Sequence, residues 1–335
     1  MSFHISRTPF RASFFGGGTD YPEWYSLHGG SVLSTTIDKY CYISCRYLPP
    51  FFDVRHRIVW SHVENVQTIS EILHPAVREG LRFLQFDDSK GLEIHYQADL
   101  PARAGMGSSS AFAVGLVHAL SDLRGESLKP LELARAAIEL ERDRLKEVGG
   151  VQDQVAVAHG GLNVINFRQG GDIDVVPVRI SADHAKELEG NLMLFFTGTS
   201  RLSSQLAAQV KANLSKRSDE LHDMRRQVDK GLAILENGAD FDGFGDLLHD
   251  AWELKRRLGD SVTTPEIDRI YRAARDNGAR GGKLLGAGGS GFMLFYVPPS
   301  RQADVVAALR DKLHVPFGFD YTGSTILYHP SEGDA

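Results

Sequence analysis

Apolar and polar residues alternate most regularly in the first hundred positions. The alternation in residues 32–47 and 92–98 predicts two strands. Apolar residues then take helical spacing in residues 111–123, after three serines that could cap the helix, and in residues 130–147. Two further strands are predicted at residues 162–167 and 175–180.

The second half of the chain changes to longer helices and shorter strands. Its predicted elements are a strand at 192–196, helices at 202–236, 244–257 and 265–277, a strand at 291–297, a helix at 301–313 and a strand at 324–329. Thr264 and Pro265 mark the start of the third of these helices, and Gly278 its end. The order predicts antiparallel strands with helices on one side, and hence an α+β pair of domains, 1–180 and 181–335.

The composition is that of a globular protein. Of 335 residues, 42% are hydrophobic and 24% are charged, and the length suggests about two domains. The net charge of −6 argues against non-specific binding to nucleic acid, and no run approaches the ~18 apolar residues of a membrane span. Residues 1–15 lack the layout of a signal peptide. We therefore expect a cytoplasmic protein that acts on a small molecule and binds neither nucleic acid nor a membrane; its oligomeric state stays open.

Cysteine and histidine usage gives no sign of a disulfide or a histidine-built metal site. Cys41 and Cys45 fall on one face of the strand predicted at 32–47, about 13 Å apart at the rise of a β-strand. Disulfide geometry requires Cα atoms within about 7 Å, so these two cysteines are expected to stay unpaired. The thirteen histidines are scattered and include no HExxH pattern.

A glycine- and serine-rich segment precedes the helix predicted at 111–123. Residues 101–111 read PARAGMGSSSA, so Gly105 and Gly107 lead into Ser108, Ser109 and Ser110. Glycine allows close approach of backbone N–H groups to a phosphate, and a helix N-terminus adds its dipole. A helix start with a serine cap is the alternative explanation. The segment matches neither GxxxxGK[ST] nor the GxGxxG spacing of a dinucleotide fold.

Two more glycine-rich loops lie near the ends of the chain. Residues 7–20 read RTPFRASFFGGGTD, a basic strand that ends in three glycines and an acid. Residues 283–292 read KLLGAGGSGF, with glycine at positions Gly286, Gly288, Gly289 and Gly291. Alone, the first could be a tight turn and the second a flexible hairpin. The occurrence of all three loops in this order favours a shared function.

The three segments, in this order, resemble the motifs of the GHMP small-molecule kinase superfamily. The middle motif, P-x-x-x-G-[LM]-G-S-S-[SA]-A, is intact, with Met106 where leucine is commoner. The resemblance implies an N-terminal half similar to ribosomal protein S5 domain 2 and a ferredoxin-like C-terminal half, with ATP and substrate in the cleft between them. The residues that it implies for ATP binding are Gly105, Met106, Gly107, Ser108, Ser109 and Ser110.

The same resemblance implies roles for four further side chains. Asp153, in GGVQDQ, matches the catalytic aspartate of galactokinase-like members, and a carboxylate there could accept the proton of a sugar hydroxyl. Glu141 and Ser109 match the two protein ligands of Mg²⁺. Arg11 matches the basic residue of the first motif, where a fixed positive charge could act on Asp153 or on the transferring phosphoryl group.

The ending of the first motif indicates which molecule accepts the phosphoryl group. Its ending, Gly18-Thr19-Asp20, resembles the sugar 1-kinase branch of the superfamily, which implies phosphorylation of the anomeric hydroxyl of a sugar phosphate, with D-glycero-D-manno-heptose 7-phosphate as the expected acceptor. The candidates for holding the substrate's own phosphate are Lys39, Arg103 and Arg201. Galactokinase-type or fucokinase-type specificity, and a catalytically silent regulatory protein that binds ATP and sugar, remain alternatives.

Overall fold

The computed structural model describes residues 3–102, 104–198, 211–238, 241–259 and 261–328. The strands in these residues are β1 (Phe3–Phe15), β2 (Gly30–Leu48), β3 (His56–Val59), β4 (Val63–Val66), β5 (Gly91–Ala98), β6 (Asn163–Phe167), β7 (Ile173–Pro177), β8 (Leu192–Phe196), β9 (Gly281–Leu284), β10 (Phe292–Tyr296), β11 (Leu313–His314), β12 (Phe319–Asp320) and β13 (Thr325–Tyr328). The helices are α1 (Pro22–His28), α2 (Pro75–Phe83), α3 (Ser108–Leu123), α4 (Pro130–Ile138), α5 (Gln152–His159), α6 (Ala182–Gly190), α7 (Ser218–Asn237), α8 (Asp242–Arg256), α9 (Pro265–Asp276) and α10 (Gln302–Ala308).

The long strand β2 organises the first sheet. On one side it pairs with β1, and on the other it pairs in turn with β6, β12 and β5. The sheet runs β13–β1–β2–β5–β3–β4, and β7 extends it through β6. Helix α3 packs on β1 and β2 with its apolar residues buried, so it forms the centre of the larger core. The N-terminus of α3 is thereby fixed against the sheet.

The second sheet is antiparallel, in the order β11–β8–β10–β9. Strands β8 and β10 are almost wholly buried, and Trp252 of α8 lies in the same core. Phe14 and Phe15 at the end of β1 both contact the ring of Phe244 edge-on, which joins this second half to the first. The arrangement confirms the predicted α+β class.

The final strand departs from the prediction. The strand expected at 324–329 was assigned to the second half, but β13 pairs with β1, and β12 pairs with β2. The register sets Ile5 opposite Tyr328, so the chain returns to the first sheet after completing the second. The predicted boundary near residue 180 falls between β7 and α6, and the division into 1–180 and 181–335 stays a prediction.

Two predicted helices differ from the structure in ways that matter for the site. The helix expected at 130–147 is α4 followed by a π-helical turn, Glu139–Arg144. The serines before residue 111 do not cap α3 but form its first turn, after Gly107 in a left-handed conformation (φ 72°). Of the long helix expected at 202–236, residues 202–210 lie outside the described residues.

Two smaller predictions are confirmed. The side chain of Thr264 accepts a hydrogen bond from the backbone N–H of Ile267 and so caps α9. Cys41 and Cys45 are both free and buried. No helix in the described part of the chain is both long enough and apolar enough to cross a membrane.

Candidate active site

The three glycine-rich segments meet at one pocket of about 510 Å³. The ends of β1 and α3 supply one wall, the chain from the π-helical turn to α5 supplies another, and α8 with the loop after β9 closes the third side. Segments separated by hundreds of residues therefore share one cavity. The predicted site residues that line it are Arg11, Gly18, Asp20, Gly105, Gly107, Ser108, Ser109, Ser110, Glu141, Asp153 and Gly286.

Arg11 and Asp153 form a two-pronged ion pair in this pocket. Nε and Nη2 of Arg11 each donate to one carboxylate oxygen of Asp153 at 2.7 Å. Nη1 of Arg11 donates to the carbonyl oxygen of Gly105, also at 2.7 Å. Arg11 is almost completely buried, whereas the side chain of Asp153 is 24% exposed. The arginine therefore fixes the plane of a carboxylate that still faces the cavity.

The middle motif presents backbone N–H groups at the start of α3. Gly105, Gly107 and the three serines line the pocket there, where the helix dipole favours an anion. Met106, expected to bind ATP, is buried instead, and its carbonyl oxygen accepts from the backbone N–H of Arg11 at 3.2 Å. Glycines followed by serines at a helix N-terminus are groups of the kind that bind phosphate.

The second and third glycine loops touch through their backbones. A Cβ on Gly286 would lie 2.4 Å from Cα of Gly105, and a Cβ on Gly105 would lie 2.5 Å from the carbonyl oxygen of Leu285. Both glycines also have positive φ, so other residues would be strained as well as crowded. The other glycines of the third motif, Gly288, Gly289 and Gly291, do not line the pocket. The third motif therefore packs against the backbone of the middle motif.

Glu141 is buried at the edge of this loop. The π-helical turn points its carboxylate at α3, where Oε2 accepts from the Ser110 hydroxyl at 2.8 Å and from Nε2 of Gln154 at 2.5 Å. Burial raises the pKa of Glu141 to about 7, and the nearby charge of Glu147 adds to the shift. No basic side chain among the described residues forms an ion pair with Glu141. A buried carboxyl with only neutral donors fits a site for a hard cation.

Of the residues expected to bind the acceptor, some line the pocket and one does not. Asp20 lines the pocket, and its carboxylate accepts from the backbone N–H groups of Gly18 and Gln152. Burial raises the pKa of Asp20; the N–H of Gly18 opposes this shift and the charge of Asp153 adds to it. Thr19 does not reach the cavity: it is fully buried, and its hydroxyl donates to backbone carbonyl oxygens. Thr19 shapes the turn instead.

Of the three basic residues expected to bind the substrate's phosphate, only Lys39 lies among the described residues. Lys39 lies outside the pocket and pairs with Asp38 at 2.8 Å. Arg103 and Arg201 lie outside the described residues. Arg142 and Lys146, which the sequence analysis did not single out, do line the pocket.

Two lysines of the second half also reach the pocket without having been predicted. Nζ of Lys255 donates to the carbonyl oxygens of Leu284 and Gly286, at 2.7 and 2.5 Å. Nζ of Lys283 donates to the carbonyl oxygen of Phe14 at 2.6 Å. Lys283 opens the third motif and could have been noticed there, but Lys255 sits in an ordinary amphipathic helix that gives no such signal.

Comparison with known proteins agrees with this geometry. Residues 70–161 match the GHMP kinases N terminal domain and residues 232–315 match the GHMP kinases C terminal domain. The D-glycero-alpha-D-manno-heptose 7-phosphate kinase of Campylobacter jejuni is 31% identical over 328 residues, which make up 95% of this chain and 96% of that protein. The chain belongs to the GHMP kinase family. This GHMP kinase is also similar to the crystal structure of a D-glycero-D-manno-heptose 1-phosphate kinase from Bacteroides thetaiotaomicron, with a TM-score of 0.80, 26% identity and coverage of 98% of this chain and 100% of that one.

A more distant relative is a bifunctional protein. The fucokinase/GDP-fucose pyrophosphorylase of Arabidopsis thaliana is 26% identical over 337 residues, 93% of this GHMP kinase but 31% of that longer protein. The predicted family and the predicted fold are confirmed by these matches. As a GHMP kinase, the chain is an ATP-dependent phosphotransferase.

Proposed function

We propose that this GHMP kinase transfers the γ-phosphoryl group of ATP to the anomeric hydroxyl of D-glycero-D-manno-heptose 7-phosphate. The observation that carries the proposal is the fork of Arg11 on Asp153, which sets a carboxylate beside the start of α3 in the same pocket. Similarity to two heptose kinases over nearly the whole chain supports the acceptor.

Asp153 is proposed as the proton acceptor. As the sugar oxygen attacks the γ-phosphorus, its proton passes to a carboxylate oxygen of Asp153, and the bond from phosphorus to the bridging oxygen of ADP breaks. Arg11 holds Asp153 in place through both oxygens, so the carboxylate need not reorient during the step. Arg11 would also offset negative charge that develops near the phosphoryl group.

The proposed nucleotide site is the start of α3. Gly105, Gly107 and the serines that follow would present N–H and hydroxyl donors to the phosphates. Glu141 and Ser109 would hold Mg²⁺, which when bound screens the negative charge of the triphosphate. The buried carboxyl of Glu141 and the exposed hydroxyl of Ser109 are oxygen ligands of the kind that Mg²⁺ prefers.

The proposed sugar site lies beside the first motif. Asp20 and Gly18 line the pocket next to Asp153 and supply polar groups for sugar hydroxyls. A polar site of this kind rejects acceptors that leave its groups unpaired, at about 1–3 kcal/mol for each group. Arg142 and Lys146 are proposed, together with Arg201, as the cations near which the substrate's own phosphate binds.

A coupled assay for ADP over a panel of acceptors tests the proposal. The panel contains heptose 7-phosphate, unphosphorylated heptose, galactose, L-fucose and mevalonate, each with ATP and Mg²⁺. We expect the highest kcat/KM with heptose 7-phosphate and a product that has lost its reducing end. Turnover confined to mevalonate or another non-sugar would contradict a sugar kinase, and a preference for L-fucose would move the assignment to the fucokinase type.

The catalytically silent alternative predicts a different result from the same panel. A protein that only binds ATP and sugar would release no ADP above background after overnight incubation. The intact pair of Arg11 and Asp153 favours catalysis, because a binding protein has no need for a carboxylate oriented beside the phosphate-binding loop.

A further inference from the structure

Two buried lysines enter the pocket from the second half of the chain. Lys255 comes from α8 and Lys283 from β9, and their side chains are 9% and 3% exposed. Both line the cavity that contains Asp153. Lysine is rarely buried without a partner of opposite charge, so their position calls for an explanation.

Lys255 lies where two glycine loops meet. Two of the three N–H groups of its ammonium donate to Leu284 and Gly286, which fixes the direction of the third. The backbone of Gly286 touches that of Gly105, so the ammonium sits beside the proposed phosphate-binding loop. Because Lys255 lines the pocket, its remaining N–H has the cavity available to it.

Basic groups outnumber carboxylates on this side of the pocket. Arg11, Lys255 and Lys283 are three basic groups close enough to act on one another, and Asp153 is the carboxylate acting on Lys255. Within the described residues, neither lysine forms an ion pair with a carboxylate. Burial lowers the pKa of Lys283 to about 7, and burial together with the charges of Lys283 and Arg11 lowers the pKa of Lys255. An anion bound in the pocket would favour the charged form of both lysines.

Arg11 is fixed by Asp153 and can offer that anion only its two remaining N–H groups. Three of its five N–H groups are already committed, two to Asp153 and one to the carbonyl oxygen of Gly105. Its planar fork cannot turn toward a phosphate without releasing Asp153. Lys255 can donate to an incoming oxygen and keep both of its present hydrogen bonds.

The geometry points to Lys255 as a further catalytic residue, which donates its free N–H to the γ-phosphoryl oxygens while that group moves from ADP to the sugar oxygen. In this step the new bond joins the sugar oxygen to phosphorus, the bond to the bridging oxygen of ADP breaks with its electron pair on ADP, and Asp153 takes the hydroxyl proton. Lys255 exchanges no proton; it stabilises charge on the oxygens in transit. The inference rests on the proposed phosphoryl transfer and holds for any sugar acceptor.

Three variants of Lys255 test this role. Lys255→Met removes the charge at similar volume, Lys255→Gln keeps an amide that can donate to Leu284 or Gly286, and Lys255→Arg keeps the charge. We expect kcat to fall by about 10²–10³-fold in the Met and Gln variants, as for loss of one donor to a transition state. The KM for sugar and the Kd of a non-hydrolysable ATP analogue should stay near the wild-type values. Lys255→Arg should recover a substantial part of kcat.

A matched control is Lys230→Met, which removes an exposed lysine on α7 and should behave as the wild type. A folded Met or Gln variant with near wild-type kcat overturns the inference. So does a rise in KM or Kd with kcat retained, which would make Lys255 an anchor of the third loop. If the Met variant fails to fold, the Gln variant decides. A wild-type protein without turnover on any sugar contradicts the proposed function itself, a result distinct from an active wild type with insensitive Lys255 variants.

Discussion

The carboxylate proposed as proton acceptor is held in place by another side chain of the protein. Arg11 and Asp153 lie 142 positions apart in the chain, yet both oxygens of the carboxylate accept from the same guanidinium at 2.7 Å. A bidentate pair fixes the plane as well as the position of a carboxylate, so the fold supplies an orientation that would otherwise cost entropy in the reaction.

Asp153→Asn separates proton transfer from binding. The amide oxygen can still accept from Arg11, but the side chain can no longer take a proton. We expect kcat to fall by about 10²–10⁴-fold, with binding of a non-hydrolysable ATP analogue close to that of the wild type. Initial rates and isothermal titration measure the two effects. Near-normal turnover would mean that the hydroxyl proton goes to another group.

Gly150 leaves room for the carboxylate of Asp20, because it has no side chain. A Cβ at position 150 would lie 1.8 Å from Oδ2 of Asp20, whereas a Cβ on Gly149 would meet no atom within 4 Å. Gly150→Ala therefore displaces the carboxylate from the N–H of Gln152. We expect the KM for sugar to rise about tenfold, the value of roughly one hydrogen bond.

Gly149→Ala is the matched control for that measurement, since it adds the same methyl group one residue away. Its KM for sugar should stay at the wild-type value. Equal KM values for the two variants would show that the position of Asp20 does not affect acceptor binding.

For single residues, the sequence predicted which side chains lie near the pocket better than it predicted what each side chain contacts. Asp20, Asp153 and Glu141, which the motifs marked, were all found in the pocket. Thr19 was not, because its hydroxyl can satisfy either a sugar or the backbone of its own turn, and only the tertiary fold decides between them. Lys255 had no neighbouring motif to mark it.

Among the elements, the segment after α4 differs from the helix that its apolar pattern predicts. Residues 130–147 have apolar spacing typical of one continuous helix, but the structure changes to a π-helical turn at Glu139. Apolar periodicity reports which face is buried, and it does not report the one extra residue that a π turn takes in. Glu141 lies in this turn and accepts a hydrogen bond from Ser110, so the irregular element is also the one that carries the proposed metal ligand.

Strand β9 is tied to β1 by one buried charge. Nζ of Lys283 donates to the carbonyl oxygen of Phe14, and burial lowers the pKa of Lys283 from its ordinary value of 10.5 to about 7. Below pH 7 the folded state carries the full cost of burying this charge. Between about 7 and 10.5 the unfolded chain binds more protons than the folded one, so the free energy of unfolding rises with pH there.

Lys283→Met removes that pH dependence. Relative to the variant, the wild-type protein should gain stability between pH 7.5 and 9.5 by up to about 1.4 kcal/mol per pH unit. Urea unfolding of both proteins across that range, without nucleotide, measures the difference. A constant difference between the two would mean that Lys283 keeps its charge throughout, with no shift of its pKa.

Two short strands late in the chain, β12 and β13, complete the first sheet. Strand β12 pairs with β2, and β13 pairs with β1. The strands that precede them, β8 to β11, form the second sheet. Asp320 secures this return: its carboxylate accepts from the hydroxyl of Tyr40 and from the backbone N–H groups of Thr322 and Gly323. The α+β class was predictable from local patterns, but this pairing was not, because strand partners depend on the path of the chain as a whole.

Asp320→Ala removes these hydrogen bonds from a buried site. We expect the free energy of unfolding to fall by about 2–4 kcal/mol, since four donors lose their acceptor: the Tyr40 hydroxyl, the N–H and hydroxyl of Thr322, and the N–H of Gly323. Urea unfolding followed by tryptophan fluorescence measures it, because Trp60 reports on the first half, Trp252 on the second, and Trp24 on a cluster that both halves share. Asp304→Ala, at an exposed position on α10, is the control and should change stability by no more than about 0.5 kcal/mol.

The pairing of Ile5 with Tyr328 also constrains the order of events during synthesis. Strand β1 leaves the ribosome well before β13, the strand that covers its outer edge. Until then that edge offers free backbone groups to any other extended chain nearby. A ribosome that stalls within the second half therefore leaves a nascent chain prone to association with its neighbours, and factors that shield newly made strands can act on β1 until β13 is made.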